Sequence, residues 1–381
     1  MSALRISRNG AVAACWVVPR VQRHSIGYSS LQLRHHSLVG NSSTAVCVDR
    51  RLSIATCCSA SQPSVLQGKG QNPLITLYRF SRPHTVLGTF VSIVSISMLA
   101  VNPSYWTLSS ASVVACVCKA LVPALLMNIC IVGLNQIYDI EIDKINKPYL
   151  PLASGELSVP AAWWIVSGAG MLSLALGAYS QSIPLLWTLV GSLVLGIAYS
   201  IDIPYLRWKK YPTLAAMCIL SVRAVLVQFG FYLHMKFCQH SVISDQTILQ
   251  YILGEKSLIF TTCFMLVFSI VIALFKDIPD MQGDQQSGLR TFAVKLGTRR
   301  IFWTCISLLQ LAYASSIIYS IVVLENPVVK VCSTLLHGVA AAFVLSRAKQ
   351  TDLSSPKHIY ACYMDVWKAF YFEYMLIPLL R

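Results

Sequence analysis

The chain has 381 residues, is 55% hydrophobic and only 12% charged, with a mean hydropathy of +0.61. Its apolar residues come in long runs parted by short polar loops, which excludes an ordinary soluble domain, where apolar and polar residues alternate within each element. The formal charge of +15 is spread over loops and the N-terminus without a basic helix or a nucleic-acid motif, so no nucleic-acid partner is expected.

From the N-terminus, residues 1–70 carry Arg5, Arg8, Arg20, Arg23, Arg34, Arg50, Arg51 and Lys69 against the single acid Asp49, with frequent serine. Basic, serine-rich and acid-poor sequence is the profile of an organelle transit peptide. A secretory signal around 11–18 and a disordered cytosolic tail are the alternatives, and composition does not separate plastid from mitochondrion. The expected division is a transit peptide over 1–70 and a membrane domain over 71–381. The thirteen cysteines lack zinc-ligand spacing and read as small buried hydrophobes.

Nine apolar segments follow, and membrane helices are predicted at 85–101, 111–133, 160–178, 183–201, 213–233, 258–274, 301–324, 328–345 and 359–380. Most are long enough to cross a hydrocarbon core about 30 Å thick. The ninth is interrupted by Asp365, Lys368 and Glu373. An all-α polytopic membrane protein is the expected fold class.

The second and sixth segments each end in acids. Asn135, Gln136, Asp139 and Asp143 follow one; Lys276, Asp277, Asp280 and Asp284 follow the other. Four crossings separate the two clusters, so both emerge on one membrane face. The loops of that face hold Lys144, Lys147, Arg207, Lys209 and Lys210, whereas the opposite loops hold only Lys236, Lys256 and Lys330. The positive-inside rule therefore turns the acidic clusters toward the stroma, matrix or cytosol. On continuous helices, residues three, four and seven apart share a face, which puts Gln136, Asp139 and Asp143 together and likewise Asp277, Asp280 and Asp284. Pro279 and Gly283 are expected to loosen the second helix.

Acids are costly at membrane depth. Two matched clusters on one face predict a Mg²⁺ site with Asn135, Asp139, Asp143, Asp277, Asp280 and Asp284 as oxygen ligands. The basic neighbours Lys144, Lys147, Arg207, Lys209 and Lys276 would hold the phosphate oxygens of a Mg²⁺–diphosphate complex. Arg79, Tyr199 and Ser200 are further diphosphate candidates. Asn128, Gln136 and Arg223, lying on apolar segments, are candidates for the acceptor or the cavity wall.

These residues resemble the UbiA-type intramembrane prenyltransferases, whose NxxxDxxxD and DxxxD motifs stand here as Asn135/Asp139/Asp143 and Asp280/Asp284. The resemblance spans roughly residues 72–381. Within the family, "YRFSRPHT" from Tyr78, "NKPYLPLASGE" from Asn146, "LRWKKYP" from Leu206 and "ALFKDIPDMQGD" from Ala273 are similar to the plant group that prenylates homogentisate. The resemblance implies a nine-helix bundle around a central cavity in a plastid membrane, with the motif loops facing the stroma. It implies Mg²⁺ bridging Asp139, Asp143, Asp280 and Asp284 to a prenyl diphosphate, and transfer of the prenyl group, phytyl first, to homogentisate with decarboxylation, in tocopherol biosynthesis. Membrane lipid surrounds such a bundle. The stretch after Asp284, starting Gln285-Gln286, departs from the group's usual sequence and leaves the acceptor open. A specialised enzyme joining dimethylallyl or geranyl groups to flavonoids, coumarins or other phenolics shares the same motifs. A transporter for an anionic metabolite is the reading from another class.

Overall fold

The computed structural model describes residues 72–101, 110–239, 248–289 and 291–380. The predicted transit peptide lies outside these residues. Every regular element among the described residues is helical.

The chain enters through a short helix, α1 (Pro73–Phe80), capped by the Asn72 side chain, which accepts from the backbone N–H of Leu74 at 3.0 Å. Arg82 then adopts a left-handed conformation with φ 51°, and Pro83 opens the long helix α2 (Pro83–Ala100). The sharp turn suits proline at a helix start, where its missing N–H costs nothing. The helix α3 (Ser110–Tyr138) follows, then short α4 (Ile140–Asn146), α5 (Val159–Tyr179) and α6 (Ile183–Ser200). The fifth apolar run is divided into α7 (Pro212–Leu220), a π-helical turn (Ser221–Leu226) and α8 (Val227–Cys238). Short α9 (Ile248–Gly254) precedes α10 (Lys256–Phe275). Two small helices, α11 (Met281–Gln286) and α12 (Phe292–Leu296), lead to α13 (Thr298–Val323), α14 (Pro327–Lys349) and α15 (Pro356–Leu376).

Eight of these runs are long and apolar enough to cross a membrane, the α7–α8 run counted as one. The ninth predicted crossing is present as α15 but is not among them. Its acids are paired: Asp365 accepts from Arg347 at 2.6 Å and Lys368 at 2.8 Å, and Glu373 meets His337 at 3.2 Å. Apolar side chains also point outward, including Trp164 at 79% and Val322 at 74% exposure. On a polytopic bundle that surface meets lipid.

Polar side chains join the helices inside. Ser173 donates to the Pro123 carbonyl at 2.7 Å, tying α5 to α3 at the proline inside that helix. Ser320 and Ser333 meet at 2.7 Å between α13 and α14. Such bonds, with close small-residue packing, substitute for a hydrophobic driving force that lipid cannot supply. Buried Phe268, Phe275, Phe302, Tyr313, Trp367 and Phe370 fill the space between α10, α13 and α15.

One expectation about local structure needs correction. The acidic clusters do not continue their helices. α3 ends at Tyr138, and Asp139 stands at the start of α4; α10 ends at Phe275, and Asp280 stands at the start of α11. Each cluster straddles a break, so the acids face one another across two bends instead of forming a stripe on one helix.

Candidate functional site

The two bends meet. Asn146 accepts the Gly283 backbone N–H at 3.0 Å, and a Cβ at position 283 would stand 2.4 Å from that same Asn146 oxygen. Any side chain at 283 forces the Asn146 amide to move. Lys147, next in the chain, lies 4.0 Å from Asp143 and forms a short ion pair with Asp280. Asp143 and Lys147 are four apart, so α4 turns both to the same side.

Around this contact lies a chamber lined by Arg82, Asn135, Asp139, Asp143, Lys147, Tyr199, Lys209, Lys276, Asp277, Asp280 and Asp284, with a volume of about 290 Å³. A second chamber of about 280 Å³ adjoins it. The two share Arg82, His84, Asn135, Tyr199, Ile219, Ala273, Lys276 and Tyr363. The second is walled by Ile131, Val132, Leu195, Ile219, Val222, Val227, Ile272, Trp367 and Phe370. Each alone is at the lower end of ligand-pocket size, roughly 300 Å³, so a headgroup and a long apolar chain need more than one of them.

Charge is dense in the first chamber. Arg82 reaches Asp143 at 3.4 Å, and buried Lys209 is in direct contact with Asp139. Lys276 donates to the Tyr199 hydroxyl at 3.0 Å and lies 3.4 Å from Asp277. Burial pushes the Asp284 carboxyl up to about 7, with Asp280 and Asp277 adding to the shift. Burial also raises Asp143, against the pull of Arg82 and Lys147, and raises Asp277. Burial opposes the charge on Lys276, yet Tyr199 and Asp277 hold its pKa well above the ordinary lysine value. A buried carboxylate with a raised pKa is one whose charged form has lost its water.

Several predicted residues are elsewhere. Lys144 is exposed and bonded to Glu141 at 2.7 Å, one residue out of phase with the inward face of α4. Arg207 is turned to Asp202 and the Tyr138 carbonyl, with Asp139 at 3.9 Å, and does not line either chamber. Gln136 is buried and donates to the Phe80 carbonyl at 2.7 Å, fastening α1 to α3 outside both chambers. Arg79 lines the first chamber but is committed to Glu156 at 2.7 Å and to the Tyr149 carbonyl. Ser200 and Asn128 line the second chamber, as does Arg223. Lining residues outside the predicted set include Asn146, Tyr360 and Tyr363. Asn146 lies in a quoted motif stretch, which was signal enough; the tyrosines of α15 become neighbours only through the fold.

Among the described residues no three acidic, histidine or cysteine side chains surround one point closely enough to hold a metal by themselves. Lysines stand among the acids instead, most plainly Lys147 beside Asp143 and Asp280. The donors are hard carboxylate oxygens. Mg²⁺ usually takes one or two carboxylates, several waters and substrate phosphates, so the donor set fits that ion without an all-protein cage.

Apolar crossings capped by paired acidic bends and their lysines define an all-α polytopic membrane protein with a charged site at one end. Residues 85–369 match the sequence profile of the UbiA prenyltransferase family, and the chain belongs to that family. It is 48% identical over 330 residues to homogentisate phytyltransferase 1, chloroplastic, of Arabidopsis thaliana, a match covering 85% of this chain and 81% of that protein. It is 43% identical over 308 residues to the homogentisate geranylgeranyltransferase of Triticum aestivum, covering 81% of this chain and 73% of that one. Naringenin 8-dimethylallyltransferase 2, chloroplastic, of Sophora flavescens is 40% identical over 330 residues, covering 84% and 76%. In fold, the chain matches a UbiA homolog from Archaeoglobus fulgidus, solved with GPP and Mg²⁺, at a TM-score of 0.53 and 18% identity, covering 79% of this chain and 99% of that one.

Proposed function

We propose that this protein transfers a prenyl group, phytyl first, from its diphosphate to the ring of homogentisate, with decarboxylation, in tocopherol biosynthesis. The observation that carries the reading is the joining of the two acidic bends around lysines at the mouth of an apolar chamber. The identity to plant homogentisate prenyltransferases supports the acceptor. We place the protein in a plastid membrane, its motif loops facing the stroma, with residues 1–70 as transit peptide and α15 as a ninth crossing. The positive-inside bias and the chloroplastic relatives support that placement.

Asp139, Asp143, Asp280 and Asp284 would hold Mg²⁺, with Asn135 and Asp277 at the edge of the set. When bound, the ion neutralises the diphosphate and makes it a better leaving group. Arg82, Lys147, Lys209 and Lys276 hold the phosphate oxygens, each already near an acid it would exchange for phosphate. As the carbon–oxygen bond breaks, its electron pair leaves with diphosphate, and these fixed cations stabilise the departing charge. The aromatic ring supplies the pair for the new carbon–carbon bond and then loses its proton; the side-chain carboxylate leaves as CO₂ and a proton takes its place. The apolar wall of Ile131, Val132, Ile219 and Phe370 keeps water from the allylic cation.

The test is an assay on membranes carrying the full chain. Homogentisate, a flavonoid and a coumarin are each crossed with dimethylallyl, geranyl, geranylgeranyl and phytyl diphosphates. A homogentisate product that requires Mg²⁺ and is largest with phytyl diphosphate is expected. No homogentisate product with any donor overturns the acceptor assignment.

A further inference from the structure

Arg223 sits inside the fifth apolar crossing, on the π-helical turn Ser221–Leu226. A π turn inserts an extra residue into a helix and re-aims the side chains around it, which is why such turns gather at functional sites. Here it presents Arg223 to the second chamber. The guanidinium carbon lies 5.0 Å from the Trp367 ring centroid, and His84 packs edge-on to the same ring at 5.2 Å. Stacking uses the flat face of a guanidinium and leaves its edge N–H donors to point elsewhere.

The titratable groups facing Arg223 are Tyr363, Tyr374, Tyr371 and His84. None is a carboxylate. The cations of the charged chamber, by contrast, sit beside carboxylates: Arg82 by Asp143, Lys147 by Asp280, Lys209 by Asp139. A cation in a low-dielectric site without an anion is expensive, and the cost falls sharply when a ligand supplies the counter-charge. That ligand is not the diphosphate, because Arg223 does not line the acid-rich chamber. The chamber it does line holds Asn128, which donates to Thr85 at 3.3 Å and accepts from Thr89 at 3.4 Å, and the aromatic wall of Tyr363, Trp367 and Tyr374. Polar groups and aromatic faces around one guanidinium suit an aromatic acid.

We infer that Arg223 is the residue that selects the acceptor: it takes the carboxylate of an anionic phenol in a two-bond contact, so that aromatic acids are preferred over neutral phenols. The inference rests on the prenyl-transfer reading of the site, and it narrows the acceptor class.

The test compares wild type, Arg223→Met and Arg223→Lys in the full-length protein, with homogentisate and with 2-methylhydroquinone, which keeps the ring and lacks the carboxylate. Losing charged hydrogen bonds is expected to lower kcat/KM for homogentisate by roughly 10- to 100-fold in Arg223→Met. The preference for homogentisate over 2-methylhydroquinone falls by a similar factor, KM for the prenyl diphosphate holds, and Arg223→Lys restores part of the preference. An equal loss with both acceptors, or a raised KM for the diphosphate, overturns the assignment. A second measurement uses wild type alone: phenylacetate and phenylacetamide are compared as ligands of the purified protein by change in intrinsic tryptophan fluorescence. Tighter binding of phenylacetate is expected; equal binding overturns the inference even if Arg223→Met does not fold. If wild type turns over no homogentisate yet binds phenylacetate in preference, the acceptor named above fails while the role of Arg223 stands.

Discussion

The side-chain oxygen of Asn146 and the backbone nitrogen of Gly283 meet at 3.0 Å, and that bond joins the two acidic bends. They lie 137 positions apart in the chain, so neither bend is held by its own local sequence alone. A methyl group at 283 would collide with the Asn146 side chain, whose nearest atoms would be 2.4 to 2.7 Å away. Gly283→Ala is therefore expected to push the bends apart, raising the Mg²⁺ concentration for half-maximal turnover by about tenfold at a stability cost of about 1–3 kcal/mol. Asn146→Ala removes the bond without the collision and should show a smaller loss. Mg²⁺ titration of both variants checks the order.

Asp139 and Lys209 are buried against each other, which complicates the obvious alanine test. Removing the acid leaves a buried ammonium, and breaking one side of such a pair costs about 3–5 kcal/mol. Asp139→Ala alone thus loses both turnover and stability. Asp139→Asn with Lys209→Met should fold better than Asp139→Ala and still lack Mg²⁺-dependent transfer. Thermal denaturation in detergent, run beside the activity assay, separates the two losses. Full turnover in Asp139→Asn would remove Asp139 from the ion's ligands.

Lys144 lies in the last turn of α4 and Lys147 caps it, three residues on, facing another way. Lys147→Met should raise KM for the prenyl diphosphate by about tenfold or more, the loss of one charge-assisted contact. Lys144→Met should change it little, since Lys144 points to solvent and pairs with Glu141. Equal effects of the two substitutions would mean that the charge of the whole face matters and the geometry of α4 does not.

That pair also shows where reading the chain succeeds. The long helices are legible because length and apolarity leave no other structure inside lipid; α6, α10 and α13 fall within a few residues of expectation. The acids are legible because charge beside an apolar run is costly without a task. The breaks at Asp139 and Asp280 are not. Nothing in Gln136-Ile137-Tyr138-Asp139 stops a helix, and the partners that hold it there, Phe80 and Lys209, come from distant segments. Lys147 could have been separated from Lys144 by its four-residue spacing from Asp143. Arg207 could not, since its left-handed backbone at φ 55° and its turn toward Asp202 are properties of a loop.

Asp284 sets a pH dependence. Its folded pKa is about 7, raised first by burial and then by Asp280 and Asp277, against an ordinary aspartate value of 3.8. A raised acid is easier to protonate in the folded chain than in the unfolded one, so without Mg²⁺ the folded state loses stability as pH climbs from about 4 to 7, then levels. Mg²⁺ needs the charged form and must displace the proton. Apparent Mg²⁺ affinity is expected to rise about tenfold per unit as pH approaches 7 and to flatten above it. Activity titrations from acid to alkaline pH measure the slope. Asp284→Asn should remove it, and a slope that persists in that variant would assign the proton to another carboxylate.

Glu373 and His337 form a buried contact far from the charged chamber, at 3.2 Å between α15 and α14. Ser333 meets His337 on the other side, its carbonyl 2.7 Å from the ring, so the histidine is held at both nitrogens. This is how α15, the least apolar of the long helices, carries an acid among hydrophobic neighbours. Breaking the contact from one side leaves a polar group stranded. Glu373→Ala is expected to cost about 3 kcal/mol or more. Asp365→Asn should cost less, because its partners Arg347 and Lys368 are 45% and 67% exposed and return to water. Glu373→Ala with His337→Leu should recover part of the loss, since the imidazole is then no longer stranded without its carboxylate. Melting temperatures of the three variants in one detergent decide the matter. If Glu373→Ala melts with wild type, the contact does not hold α15 in place.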